Sequence, residues 1–103
     1  MVIIDKAAWQ IDGGVPEQLV VNHFKTVFLW LGKHDMLSDE GKEELEGGID
    51  DCATLNEKLI TKEGMGFLEN CYDEYLKVVA KGKYGTDYNG DELEKIYDQY
   101  KGK

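Results

Sequence analysis

The sequence contains no arginine, one proline, two cysteines and no long apolar run. Without guanidinium groups, the chain cannot hold phosphates or carboxylates in the bidentate geometry that arginine provides. It carries 21 acidic side chains against 12 lysines, a formal net charge of −9. Nucleic acid is therefore excluded as an expected partner, because its binding depends on neutralising phosphates. Anionic membrane surfaces are disfavoured for the same reason.

The amino-terminal sequence lacks a basic segment followed by a long apolar stretch, so it does not have the pattern of a signal peptide. No apolar run approaches the roughly 18 residues that a membrane span requires. Cys52 and Cys71 are too few for a disulfide scaffold and lack the spacing of a metal site. These features predict a cytoplasmic protein with reduced thiols.

Groups that could carry out catalysis are also scarce. The only serine, Ser38, is placed to cap a helix, and His23 and His34 are too far apart on one helix to converge on an ion. The stretch 87–92 is rich in acidic side chains, but its glycine does not stand at the sixth position that an EF-hand needs. We therefore predict a non-enzymatic protein without cofactor or metal, in which His23 is hydrogen-bonded and packs near the core.

Most of the sequence has the spacing of apolar residues that is typical of helices. Pro16 followed by Glu17 indicates a helix start, because proline suits the first helical position and an acid suits the positive end of the dipole. Apolar residues then recur in steps of three and four as far as Leu31. Leu29 and Trp30 widen this stripe, so we expect the helix to be central and buried on most sides.

A second helix is predicted from a Ser38 cap to Leu59, interrupted by the pair Gly47-Gly48, which could kink or break it. A third helix follows a Thr61 cap and ends at Lys81-Gly82. If the second and third helices form an antiparallel hairpin, residues equidistant from the turn face each other. The pairs expected at that interface, with both cysteines buried, are Cys52 with Cys71 and Leu55 with Leu68.

The two ends of the chain complete the expected fold. Residues Val2 to Ile4 are apolar and suit a short extended segment, and a last short helix is predicted from Gly90 or Asp91. Residues 1–103 are thus predicted to form a single all-α domain. Its architecture is a compact bundle of three to four helices with a short N-terminal extended arm.

Acidic residues concentrate between Asp35 and Asp51, where eight acids and one base, Lys42, account for −7 of the net charge of −9. The eight acids are Asp35, Asp39, Glu40, Glu43, Glu44, Glu46, Asp50 and Asp51. On a continuous second helix, four of them would form one exposed stripe: Asp39, Glu43, Glu46 and Asp50. This stretch is either a solvated face or a docking surface for a basic protein, whose association complementary charge would speed. Tyr84 and Tyr88 in the last loop are predicted as anchoring side chains beside it.

Several motifs are similar to those of an uncharacterised family of small acidic bacterial proteins. The residues that carry the resemblance are Trp9, Gly13-Gly14, Pro16-Glu17, His23 with Trp30, Glu63-Gly64, Phe67, Tyr72 and Tyr75-Leu76. The chain departs from the family in a shorter link between Pro16 and His23 and in a compressed carboxyl-terminal part. In size and charge it also resembles the immunity proteins with which bacteria neutralise their own toxins, and this resemblance implies a binding protein without catalytic residues.

Two functions are compatible with these observations. The first is an immunity-type inhibitor that binds a basic bacterial toxin domain, expected to be a nuclease, through the acidic helix surface. The second is a non-enzymatic helical interaction or regulatory module that self-associates or binds a cytosolic protein, with the acids merely solvated. The oligomeric state does not follow from the sequence.

Overall fold

Helices dominate the chain, and a small antiparallel sheet ties its amino-terminal segment to its middle. The computed structural model describes residues 2–79, 84–85 and 90–102. In chain order the elements are β1 (Ile3–Lys6), α1 (Ala7–Asp12), α2 (Glu17–Lys33), α3 (Asp39–Gly47), β2 (Thr54–Asn56), α4 (Lys62–Val79) and α5 (Gly90–Lys101). The prediction of a mainly helical fold is confirmed, with five helices in the described residues rather than three or four.

The central element is α2, whose apolar side chains recur at helical spacing and face inward. Its buried residues are Val20, His23, Phe24, Thr26, Val27, Phe28, Trp30 and Leu31. Helices α1, α3 and α5 pack along it. The expected burial of Leu29 is wrong: this side chain is 36% exposed. It stands two residues from both Val27 and Leu31, which on a helix places it on the opposite face.

Aromatic contacts join α2 to the two carboxyl-terminal helices. The ring of Trp30 lies 5.2 Å from that of Phe67 on α4 and 5.3 Å from that of Tyr97 on α5. Its indole N–H donates to Glu94 at 3.3 Å, and His34 Nε2 lies 2.6 Å from the same carboxylate oxygen. The end of α2 is thereby fixed against α5, because a buried indole N–H needs such an acceptor.

The prediction of a purely all-α fold is wrong, because the extended arm is a strand with a partner. β1 pairs antiparallel with β2 in the register Ile3 with Asn56, Asp5 with Leu55 and Lys6 with Thr54, with an irregularity between Ile3 and Asp5. The ladder continues beyond the strands, since Ala7 N–H donates to Ala53 C=O at 2.9 Å. β2 is only three residues long, so its sequence carries too little alternation to reveal a strand.

The second predicted helix ends at Gly47, well before Leu59. Its start is confirmed, because Ser38 Oγ accepts a hydrogen bond from Gly41 N–H at 3.1 Å. Its end is a break rather than a kink, since Gly48 adopts a φ of +97°, which only glycine accepts readily. The helical spacing of the apolar residues beyond Gly48 was therefore coincidental.

This break removes the predicted helical hairpin. Cys52 is exposed in the turn before β2, and Cys71 is half-buried on α4, so the expectation that they form a buried pair is wrong. Leu55 and Leu68 are both buried, as expected, but Leu55 comes from a strand. The predicted Thr61 cap is confirmed, because its hydroxyl accepts from Gly64 N–H at 3.2 Å.

Close packing of α3 generates a testable contrast between two glycines. A Cβ on Gly41 would collide with the carbonyl group of Leu59 and crowd the side chain of Leu37, whereas a Cβ on Gly47 would meet nothing within 4 Å. We expect Gly41→Ala to destabilise the protein by about 1–3 kcal/mol through overpacking. Gly47→Ala, the matched control, should be neutral or stabilise by up to about 1 kcal/mol through helix propensity. Urea unfolding measures both, and equal effects would contradict the packing of α3 described above.

Candidate functional site

The acidic residues predicted to bind a partner lie on and around α3. All eight are exposed. Asp39 and Glu40 occupy the first turn of α3, where the helix dipole favours negative charge. The apolar side of α3 faces the protein, with Leu45 packed beside Gly32 at the end of α2. Burial of that side directs the acids outward, and we call this surface the acidic face.

The predicted stripe of four acids is shorter in the structure. Asp39, Glu43 and Glu46 share α3, but Asp50 follows the break at Gly48 and belongs to the turn before β2. There Asp50 Oδ1 accepts from Cys52 N–H at 2.9 Å, an interaction that orders the turn. The acidic face is therefore built from a helix and a turn rather than from one continuous helix.

Lysines neutralise little of the acidic face. Lys42 lies 3.6 Å from Asp35 and Lys58 lies 3.4 Å from Glu40, and all four side chains are exposed. Exposed pairs of this kind contribute about 0–1 kcal/mol. Among the described residues, no ion pair involves Glu43, Glu44 or Glu46. These three carboxylates are therefore available to a basic partner.

A groove of about 490 Å³ separates α3 from β2. Glu40, Glu43 and Glu44 line it from the helix, and Thr54, Asn56 and Lys58 line it from the strand and the residues after it. The segment 52–58 was predicted to be helical, so the strand side of the groove was missed. The signal for a strand lies at every second position: residues 52, 54, 56 and 58 are all polar or carry a thiol.

Asn56 is the most enclosed polar residue of the groove, at 9% exposure. Its Oδ1 accepts from the backbone N–H groups of Lys58 at 2.9 Å and Leu59 at 3.1 Å, which holds the turn after β2. Its Nδ2 donates to no residue in the described part of the chain. Nδ2 remains accessible to solvent, so its donors are available to a ligand that reaches the groove.

Asp50, Asp51 and Cys52 bring two carboxylates and a thiol within 4.8 Å of one another at the surface. The pKa of the Cys52 thiol is raised, mainly by the charge of Asp51 and next by that of Asp50. Because thiolate is the reactive and metal-binding form, this shift makes Cys52 a weak nucleophile and a weak metal ligand near neutral pH.

Of the two predicted anchors, Tyr84 lies away from the acidic face and Tyr88 lies outside the described residues. The ring of Tyr84 stacks on His23 at 4.5 Å, and its hydroxyl donates to Gln10 Oε1. His23 precedes Gly32, the contact point of α3, by nine residues, which is about 14 Å along a helix. The structure therefore does not bring Tyr84 together with the acids of α3.

A buried polar network surrounds His23, which is 1% exposed. The Tyr72 hydroxyl donates to Asp5 Oδ2 at 2.6 Å, so its oxygen accepts from His23 Nε2 at 2.8 Å, and the imidazole proton lies on Nε2. Gln10 Nε2 donates to the same Asp5 oxygen. The expectation that His23 is a hydrogen-bonded side chain in the core is confirmed. Because Asp5 and Tyr72 are also buried, the network joins β1, α1, α2 and α4 inside the fold.

Burial lowers the pKa of His23 from 6.5 to about 4, because the charged imidazolium would lose its hydration. The unfolded chain therefore binds one more proton than the native protein between these two pH values. The contribution of the neutral imidazole to the free energy of unfolding should be complete above pH 6.5. It should fall by about 3 kcal/mol as the pH drops towards 4. His23→Gln, which keeps a donor for Tyr72 but does not titrate, should lose this component.

Urea unfolding at pH 7 and pH 4.5 tests the His23 contribution. The difference in unfolding free energy between the two pH values should be smaller in His23→Gln than in the parent protein. His34→Gln should keep the His23 component, but it also removes the hydrogen bond by which His34 lowers the pKa of Glu94, so the parent protein is the reference for the carboxylates. An unchanged pH dependence in His23→Gln would contradict a neutral, buried imidazole.

Comparison with protein-family models, with curated proteins and with solved structures finds no match to this chain. None of the helices in the described residues combines the length and the apolarity that crossing a membrane demands. The functional interpretation therefore depends on the geometry and charge of the site itself.

Proposed function

We propose that the protein is an immunity-type inhibitor that binds and neutralises a basic bacterial toxin domain of the nuclease class. The observation that carries the proposal is the acidic face, eight exposed carboxylates between Asp35 and Asp51 with few lysines among them. A nuclease binds a polyanion, so its cleft is basic and offers the complementary charge. The acids would occupy that cleft in place of the phosphates.

The cost of holding these charges together supports a functional role. Like charges three or four residues apart destabilise a helix by a few tenths of a kcal/mol for each pair. Helix α3 has only nine residues, yet five of them are acidic. A short helix with this composition forms because Ser38 caps it and Gly41 packs closely on Leu59. The similarity of the chain to immunity proteins in size and charge also agrees with the proposal.

Charge reversal tests the proposal with the protein encoded beside this chain's gene as the candidate toxin. The triple variant Glu43→Lys, Glu44→Lys, Glu46→Lys should associate with it at least about tenfold more slowly at low salt, because electrostatic steering is lost. Stopped-flow measurements at several salt concentrations give the rates. Protection of cells that express the toxin should weaken in parallel.

The matched control makes the same change in net charge on exposed residues of α4: Glu69→Lys, Asp73→Lys and Glu74→Lys. It should keep most of the association rate, since these acids lie outside the acidic face. Equal slowing by both triple variants would point to net charge alone, and no slowing by the α3 triple would refute the proposal.

One observation favours the second candidate function, a helical interaction module that self-associates or binds a cytosolic protein. Trp9 on α1 is 53% exposed, with the ammonium group of Lys6 lying 5.6 Å from the centre of its ring. Exposed tryptophan is typical of residues that carry much of the energy of a protein interface. Val2, at 46% exposure, is a further exposed apolar residue.

Light scattering after size-exclusion chromatography separates the two functions. A dimer that persists at high salt and is lost in Trp9→Ala would support self-association through an apolar contact, which salt does not screen. Leu29→Ala removes an exposed apolar side chain from α2 and should leave such a dimer intact. A monomer at every salt concentration would remove the self-associating module as an alternative.

A further inference from the structure

β2 has one edge that no strand covers in the described residues, since the sheet there consists of β1 and β2 alone. Ala53 C=O accepts from Ala7 at 2.9 Å and Glu57 N–H donates to Val2 at 3.2 Å, so the backbone groups of residues 53 and 57 face β1. Because these groups alternate in an antiparallel pair, those of Thr54 and Asn56 point away from β1.

The uncovered edge coincides with the groove. Thr54 and Asn56 line it, opposite the carboxylates of Glu40, Glu43 and Glu44. Asn56 C=O already accepts from Leu59 at 3.2 Å and Ile60 at 3.1 Å. The groups left for a ligand are the Thr54 N–H and C=O, the Asn56 N–H and the free donors of Asn56 Nδ2.

These groups specify a ligand that offers both carbonyl oxygens and positive charge. A peptide in extended conformation supplies backbone C=O and N–H groups at the spacing of a strand edge. Its alternate side chains lie about 6.7 Å apart on one face. Glu40 and Glu44 are separated by about 6 Å of helical rise, so basic side chains at alternate positions match their spacing.

We propose that the groove between α3 and β2 binds an extended, lysine- or arginine-containing segment of the partner as a third strand on β2. Its basic side chains face Glu40, Glu43 and Glu44 and displace Lys58 from its exposed pair with Glu40. One of its carbonyl groups accepts from Asn56 Nδ2. The identity of the partner in this assignment rests on the proposed function. The assignment adds to that function the conformation of the bound segment and its position on the protein.

A blocked heptapeptide in which lysine and valine alternate is the probe. Titrated into the ¹⁵N-labelled protein, it should shift the amide resonances of Thr54 and Asn56 and give a measurable Kd. Two further peptides carry N-methyl groups, one at every lysine amide and one at every valine amide. Only one of these two sets of amides can face β2, so one peptide should lose binding at least about tenfold while the other keeps it.

Substitutions in the groove test the same assignment from the protein side. Asn56→Asp keeps the Oδ1 acceptor of the turn, replaces the Nδ2 donor by an oxygen and adds a negative charge. It should weaken peptide binding several-fold, whereas attraction by charge alone would strengthen it. Glu43→Lys should weaken binding about tenfold, and Glu74→Lys on α4 should leave it unchanged.

Three results would overturn the assignment. They are an absence of shifts at Thr54 and Asn56, equal binding of both N-methylated peptides, and tighter binding by Asn56→Asp. If any of these occurs while the Glu43, Glu44 and Glu46 reversal still slows toxin association, the inhibitor function stands and the groove assignment falls. If the peptide binds as expected but no toxin is neutralised, the groove assignment stands and the inhibitor function falls.

Discussion

The carboxylate of Asp5 is buried, and a buried charge without partners would cost several kcal/mol. One of its oxygens accepts from Lys6 N–H of β1 itself at 2.8 Å. The partners on the other side come from three helices: the Tyr72 hydroxyl from α4, the Gln10 amide from α1 and, through Tyr72, the imidazole of His23 from α2. Satisfying this one group fixes the position of β1 relative to three helices. β1 in turn fixes β2, because the two strands pair through Asp5 and Leu55.

The placement of β2 creates the groove and limits the length of α3. For residues after Gly48 to reach β1, the chain must leave the helix, and Gly48 permits this through its positive φ. The short α3 then packs on Leu59 through Gly41 and turns its acids outward. The core network and the acidic face are therefore connected through the β1–β2 pair.

The carboxylates of α3 and the hydrogen-bonding groups of β2 have different physical roles. Exposed carboxylates act over a Debye length, about 8 Å at physiological salt, and mainly affect the rate of encounter. The strand edge and Asn56 act only at hydrogen-bonding distance and would set the register of a bound segment. The structure places both on one groove, which gives the proposed interaction a means of attraction and a means of alignment.

Local patterns in the sequence were sufficient to predict α2, α4 and α5. They also predicted the caps at Ser38 and Thr61 and the burial of His23. These features depend on contacts within a few turns of helix, where spacing of three and four residues and capping chemistry act directly. The concentration of acids and its exposure were also predictable, because unpaired carboxylates rarely become buried. Only the tertiary structure decided that the segment after Gly48 pairs with β1, that Cys52 is exposed and that Tyr84 packs on His23. Each of these depends on residues far apart in the chain, and the free energy of such pairings outweighs the weak helical preference of residues 49–59.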